Sequence, residues 1–563
     1  MNIDNIPTGT TQISRQQIVN FEDLNEASIK ELISSLDLKM SASEIRHCQD
    51  YYKKKPNSTI NIDEIKTLDA VASDNKRKPS SLLLSTLTTS KEYIAKTYED
   101  MMARRYAVNK DYQEPPSILE LVRLLPEFLE KKKNFKNNLD DMAIYTGRGK
   151  YASSSNTFSK PIVEIGAGKS NALVVSGKKL QKKSSSLIIG DTLYAVLISF
   201  NPKKGFYKKI SELVFCDEYS LSGRETVYIN DESIMTYLSR LPYGIRLHTS
   251  PYERKTESYS FFADYARADE GIVFSARRDN VADLLLKAQE IGLTVIKLGT
   301  LTVEKSINAY ENGIKIFSLS QDLLRSLSFK RLISSTLGNN SENINELTES
   351  SMYISTNQQK YKLCMTSIKS CNAFMSALNT IIYNYALALS SGADISDTLC
   401  GASFNISSES ALNDGISTIL GAYRASAELS LVPISPSLEN GDGGFDFYTL
   451  SRVKNAIPNK LVGGGSFIYY LEPLYNSDGM PDFDDMRKMH SYIKGILKDG
   501  SVLSILPSTD NFEASFKKIK GRTGCELINA SVRSHFGGFL VECSKEAEGI
   551  LVARTEKKET VDA

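Results

Sequence analysis

The sequence predicts an α+β protein: a helical N-terminal region followed by two related α+β modules with mixed sheets built on split β-α-β units. Two observations carry this expectation. Apolar residues recur at helical spacing through roughly the first 135 residues, whereas from about Ile162 onward short apolar runs alternate with helical segments. In addition, one order of strand, long helix and strand occurs at about residues 272–298 and again at 467–506. That separation is too long for a short-period repeat and reads as two modules of one kind. We place a helical N-terminal and linker region at 1–150 and the first module at 151–335. A Ser/Asn-rich linker follows at 336–350, then the two halves of the second module at 351–460 and 461–563.

Each element has a local reason. Leu24 to Leu38 carries apolar positions at helical period, and Ser41 with Glu44 forms a capping-box pattern opening a helix with Ile45, Cys48 and Tyr52 on one face. After the break at Pro56, a helix is expected from about Thr59 to Ala72, and Pro115-Pro116 starts another that ends in Lys131-Lys132-Lys133, a sign that suits a helix C-terminus. Leu193 to Phe200 reads as a buried strand. Ile272 to Ala276 and Thr294 to Leu298 read as strands around a helix from Asp279 to Ile291. That helix turns Val281, Leu284, Leu285 and Ala288 inward and is capped by Gly292. Asn312-Gly313 predicts a hairpin turn into Ile314 to Phe317. In the second half, Tyr361 to Leu389 and Ser410 to Ser430 read as helical. Phe467 to Leu471 follows the Gly463-Gly464-Gly465 turn as a strand, Phe483 to Leu497 is a helix, and Val502 to Leu506 and Phe539 to Glu542 are strands.

Composition narrows the function. The 68 basic and 67 acidic residues leave a net charge of +1, so no global field draws the chain to nucleic acid or to an anionic membrane. The 4 His limit histidine-based catalysis and metal binding. The 7 Cys are scattered, with no CxxC and no zinc spacing, which fits reduced and mostly buried thiols. The start MNIDNIPTGTTQ lacks a basic segment followed by an apolar core, and no run reaches membrane-spanning length, so a cytoplasmic protein is expected.

The motifs are ambiguous. Ile165-Gly166-Ala167-Gly168-Lys169-Ser170 imitates a phosphate-binding loop, but Val163 stands where the required first glycine would be, so a turn is the better reading. Asn440-Gly441-Asp442-Gly443-Gly444-Phe445-Asp446 offers Asp442 and Asp446 as hard oxygen ligands for magnesium, against the plainer reading of a flexible surface connection. His47, His248, His490 and His535 have no neighbouring nucleophile that the sequence identifies. The basic stretch Lys178 to Lys183 lacks interleaved aromatics and reads as a solvated flank.

Several segments in order resemble phosphoribosylformylglycinamidine synthase, the ATP-dependent amidoligase of purine synthesis, whose halves belong to the aminoimidazole-ribonucleotide-synthetase superfamily. Glu44 to Lys53 and Thr59 to Asp69 resemble its linker helices, and the unit at 268–300 with Ile316 to Leu324 resembles the end of its first half. Ser451 to Glu472, Pro481-Asp482-Phe483 and Asp499 to Ser504 resemble its second half. The resemblance implies two synthetase-like modules, with half-domains pairing through their sheets.

The departures bear on chemistry. Where the family motif places a histidine implicated in catalysis, this chain has Asn75, within Asp74-Asn75-Lys76-Arg77, and asparagine cannot exchange a proton near neutral pH. The family's nucleotide and magnesium segment has no counterpart between Ile162 and Asp191, and Pro507 to Phe512 replaces a Gly-Gly turn. The resemblance ends near Glu542, so the glutaminase domain is expected to be missing, and the chain reads as a contracted synthase.

The resemblance therefore implies a catalytically degenerate paralogue acting as a binding or assembly protein, with no catalytic residue and no cofactor. It would associate with itself or with a family enzyme. The rival is a divergent active ligase that takes ATP and magnesium and uses free ammonia or a separate glutaminase. In that case Asp74 and Arg77 would serve phosphate, and Asp442 and Asp446 would serve the metal. A purine-nucleotide sensor that binds without reacting is the third reading.

Overall fold

In the computed structural model the described residues are 17–54, 60–77, 82–108, 115–130, 142–146, 160–167, 170–176, 187–197, 226–229, 234–248, 271–276, 281–293, 295–311, 314–327, 332–337, 346–356, 359–370, 372–406, 412–433, 436–439 and 444–556. The chain divides into two compact units. One comprises Met1–Ser81, Ser185–Pro202 and Arg224–Lys330, and the other Leu82–Ser184, Lys203–Gly223 and Arg331–Ala563. The N-terminal region expected to run to residue 150 is thus divided near residue 81, because its helices bury their faces in two different cores.

In the first unit, helix Ala42–Lys53 begins with the expected capping box, Ser41 and Glu44 each bonding the other's backbone N–H. Helix Ile62–Arg77 follows, and Asp69 on it accepts from the Lys39 and Met40 amides at 2.7 Å each. Strand order in the seven-stranded sheet is Ile314–Ser320, Ser306–Glu311, Gly244–His248, Val295–Thr302, Thr192–Leu197, Gly271–Ala276 and Thr226–Ile229. Gly271–Ala276 and Val295–Thr302 both pair antiparallel with Thr192–Leu197 between them, so the expected split β-α-β unit is present. Gly292 follows helix Val281–Glu290 at φ 73°, the left-handed conformation that ends it. One detail differs from the sequence reading. Leu285, expected to face inward, is 40% exposed, while Ala288 is buried; the side chains of Val281 and Leu284 lie outside the described residues.

The second unit corrects more. Leu83–Thr89, expected to be helical, is a strand paired in parallel with Leu332–Leu337, where cross-strand Thr86–Ser334 and Thr88–Thr336 hydroxyl contacts favour extended chain. The expected linker at 336–350 holds the end of that partner strand and the start of Glu346–Thr356. Tyr361 to Leu389 is not one helix: Gln359–Lys369 is a strand and only Ala373–Ser390 is helical. The apolar run there is buried on both faces, which periodicity cannot distinguish from a buried helix.

The five-stranded sheet runs Glu346–Thr356, Gln359–Lys369, Gly444–Val453, Ala393–Asn405 and Ser437–Glu439. Helix Ala373–Ser390 lies on it, keyed by the buried Asn384. Its amide donates to Thr366 Oγ1 and Phe447 O at 3.0 Å and accepts from Thr449 Oγ1 at 2.6 Å. Helix Leu412–Leu429 crosses Ala373–Ser390 at Gly421, where an added Cβ would sit 2.1 Å from the Phe374 carbonyl oxygen. Gly421→Ala gains about 1 kcal/mol of helix propensity but forces two packed backbones apart. A net loss of about 2 kcal/mol is expected in chemical denaturation.

The C-terminal sheet repeats the arrangement of the first unit. Phe467–Leu471 and Val502–Pro507 flank Phe539–Cys543, antiparallel to both, with helix Phe483–Lys498 as the crossover. The recurrence read from sequence is therefore a recurrence of topology.

Candidate functional site

The C-terminal ends of Phe467–Leu471 and Val502–Pro507 gather ionisable and hydroxyl groups around residues 535–538. His535 Nδ1 contacts Glu472 Oε1, and the imidazole stacks on Tyr475 at 4.3 Å and 18°. The His535 amide donates to the Tyr470 hydroxyl at 3.2 Å, Ser508 Oγ donates to the His535 carbonyl at 2.7 Å, and Tyr475 donates to the Phe536 carbonyl. Burial raises the Tyr470 hydroxyl to about 12 and lifts Tyr475 well above its ordinary value, so both stay protonated donors. Gly537 at φ 93° makes the turn, and a Cβ on Gly538 would lie 2.7 Å from Ser508 Oγ. With Glu472 on one ring nitrogen, the half-exposed His535 is oriented to offer Nε2 for hydrogen bonding. The sequence did not single out this pair: 63 residues separate its members, and only strand pairing brings them together.

The glycine-rich turn before this sheet is occupied from within. Gly463, Gly464 and Gly465 have φ of 79°, 103° and 90°. The Val462 and Gly463 amides donate to the Glu542 carboxylate at 2.8 Å each, and the Gly465 and Ser466 amides donate to Thr555 Oγ1 at 3.0 and 2.8 Å. Glu542 has no solvent exposure and also accepts from Ser466 and Ser504 hydroxyls at 2.5 and 2.8 Å. Four amides that could face a phosphate are thereby engaged, and a carboxylate stands among them.

Other sequence candidates are dispersed. Asp74, Asn75 and Arg77 lie in the last turn of Ile62–Arg77, with their side chains outside the described residues. Asp442 is also outside them. Asp446 is buried in strand Gly444–Val453 opposite Ser403 rather than in a surface connection. Among the described residues no group of three His, Cys, Asp or Glu could hold a metal ion. Of the phosphate-loop imitation, Ile165 to Ala167 belong to strand Lys160–Ala167 and Ser170 opens its antiparallel partner Ser170–Ser176, while Gly168 and Lys169 lie outside the described residues. His47 meets Ser326 Oγ at 2.7 Å, and His490 is buried against Tyr385 and Phe539. Cys48, Cys364, Cys400 and Cys543 are buried free thiols, as expected, and Cys525 is partly exposed. Among the described residues no helix is long and apolar enough to cross a membrane.

Two split β-α-β units, one in a mixed sheet and one in an antiparallel sheet, make an α+β fold of the aminoimidazole-ribonucleotide-synthetase-like class. The particular fold is that of PurL. The chain is similar to Thermotoga maritima PurL complexed with AMPPCP, at TM-score 0.52 and 10% identity over 90% of this chain and 99% of that one. It is equally similar to PurLQS from Thermotoga maritima, at TM-score 0.52 and 10% identity over 90% and 98%. The phosphoribosylformylglycinamidine synthase II of the same organism matches at TM-score 0.47 and 12% identity over 69% and 74%. No protein-family model and no curated protein matches the chain. The contraction expected from the sequence is not visible against a neighbour spanned over 99% of its length.

Proposed function

We propose that this chain is a PurL-fold binding or assembly protein in which synthase chemistry has been lost, associating with itself or with a synthase of the same fold. The observation that carries the reading is the closed glycine turn, whose amides are spent on Glu542 and Thr555 instead of a ligand. Asn75 in place of the family histidine supports it, since that position can no longer transfer a proton.

The test is calorimetric titration with ATP and magnesium, together with an assay for ADP release in the presence of formylglycinamide ribonucleotide and ammonium. No release, with self-association in light scattering or co-purification of a PurL-fold partner, is the expected result. ADP release that requires the ribonucleotide overturns the reading. It would favour the rival, a divergent ATP-dependent ligase, for which the AMPPCP in the Thermotoga maritima neighbour speaks. Under that rival, Asp442→Ala abolishes the release.

A further inference from the structure

Strands Glu346–Thr356 and Gln359–Lys369 pair so that Tyr353 lies directly opposite Lys362 and Ser355 opposite Lys360. Both lysines turn to the same ring: Lys362 Nζ is 4.2 Å and Lys360 Nζ 4.4 Å from the Tyr353 centroid. Lys362 is only 8% exposed. Two cations on one ring repel each other, and the ring quadrupole offsets only part of what a buried ammonium loses on leaving water.

Among the described residues, the acid that acts on Lys362 is not free to supply the missing negative charge. Glu349, the acid that acts on Lys362, is already committed, one carboxylate oxygen accepting from the Tyr383 hydroxyl at 2.6 Å and the other pairing with Lys518. Cys364 is adjacent, but burial pushes its thiol up to about 12, so it is neutral. The Tyr353 hydroxyl is hydrogen-bonded to Ser391, and burial raises its pKa as well. Ser391 caps the C-terminus of helix Ala373–Ser390, whose dipole contributes about −0.5 charge there, against two ammonium groups. Burial, with the neighbouring charge of Lys360, shifts Lys362 toward its neutral form.

We propose that Lys360, Tyr353 and Lys362 form an anion site that takes a phosphate group, either inorganic or carried on a small organic ester. The tyrosine fixes the two ammonium groups along one strand, and the phosphate supplies a negative charge between them. The site is independent of the glycine turn and of the assembly reading.

Titration calorimetry on the full chain with inorganic phosphate and, separately, with AMP tests it, beside thermal melts with and without each anion. Saturable binding is expected, weaker at high salt and reduced at least about tenfold by Lys362→Met. Without phosphate, Lys362→Met should melt at or above the unsubstituted chain, because an uncompensated charge has been removed, and phosphate should no longer raise its melting temperature. Equal affinities for phosphate and AMP assign the site to the phosphate group alone, and tighter AMP assigns it to an ester. Lys360→Gln, at an exposed position, repeats the test should Lys362→Met disturb folding. Binding undiminished in both variants, or no saturable binding of either anion, overturns the proposal. Light scattering on the same samples reads assembly separately.

Discussion

Glu542→Ala is expected to destabilise the second unit by about 4 kcal/mol, seen as a large fall in the urea midpoint. The carboxylate is fully buried and accepts from two amides and two hydroxyls, so truncation strands four donors at once. A stranded buried donor costs about 1–3 kcal/mol, and relaxation of the Gly463–Gly465 turn toward solvent returns part of the sum. Glu542→Gln keeps one acceptor oxygen and should lose about half as much. If Glu542→Ala unfolds at the same midpoint as the unsubstituted chain, the closed turn is not a structural keystone. The argument that its amides are committed internally then fails with it.

The second large effect is acid lability through His490. Its ring is buried between Tyr385, stacked at 4.7 Å, and Phe539. Burial, then the charge of Lys494, push its pKa from 6.5 down to about 3 against a weaker opposing contribution from the Gly537 backbone. The folded state therefore keeps His490 neutral where the unfolded chain binds a proton. The unfolded state binds more protons between pH 6.5 and pH 3, so stability falls as pH drops through that window. The slope is about 1.4 kcal/mol per pH unit. Between pH 6.5 and 5 His490 should account for a loss of about 2 kcal/mol, opposed by Glu64 and Asp414, whose carboxyls burial raises. Denaturation of His490→Met across the same interval should show a flatter dependence, whatever its absolute stability. An unchanged slope would remove His490 as the cause.

Much of the fold was legible because local chemistry and tertiary demand agree. Ser41 and Glu44 cap a helix by their own side chains, Gly292 ends one by its own backbone, and Glu311 pairs with Ile314 on either side of Asn312-Gly313, which lie outside the described residues. The errors fell where burial erased period. Gln359–Lys369 is buried on both faces, so its apolar run carried no alternation and passed for the start of a helix. Leu83–Thr89 and Glu346–Thr356 are rich in Ser and Thr, which suit an exposed strand and a linker equally, and only their pairing partners decide between them. The candidate site was less legible still. Asp442 and Asp446 stood out as a cluster in sequence, yet Asp446 is a buried strand residue. Glu472 and His535 did not stand out and are in contact.

The sequence by itself determined that this is an α+β chain with two modules of one topology, since strand, crossover helix and strand are each specified within about 35 residues by period and capping. It also determined that Asn75 cannot exchange a proton near neutral pH, because that is a property of the side chain alone. Only the tertiary structure decided which groups meet: Glu542 with the glycine turn, Glu472 with His535, and Lys360 and Lys362 on Tyr353. The physical reason is that strand register, which sets these encounters across tens of residues, is fixed by how whole faces pack and not by the residues that come to touch.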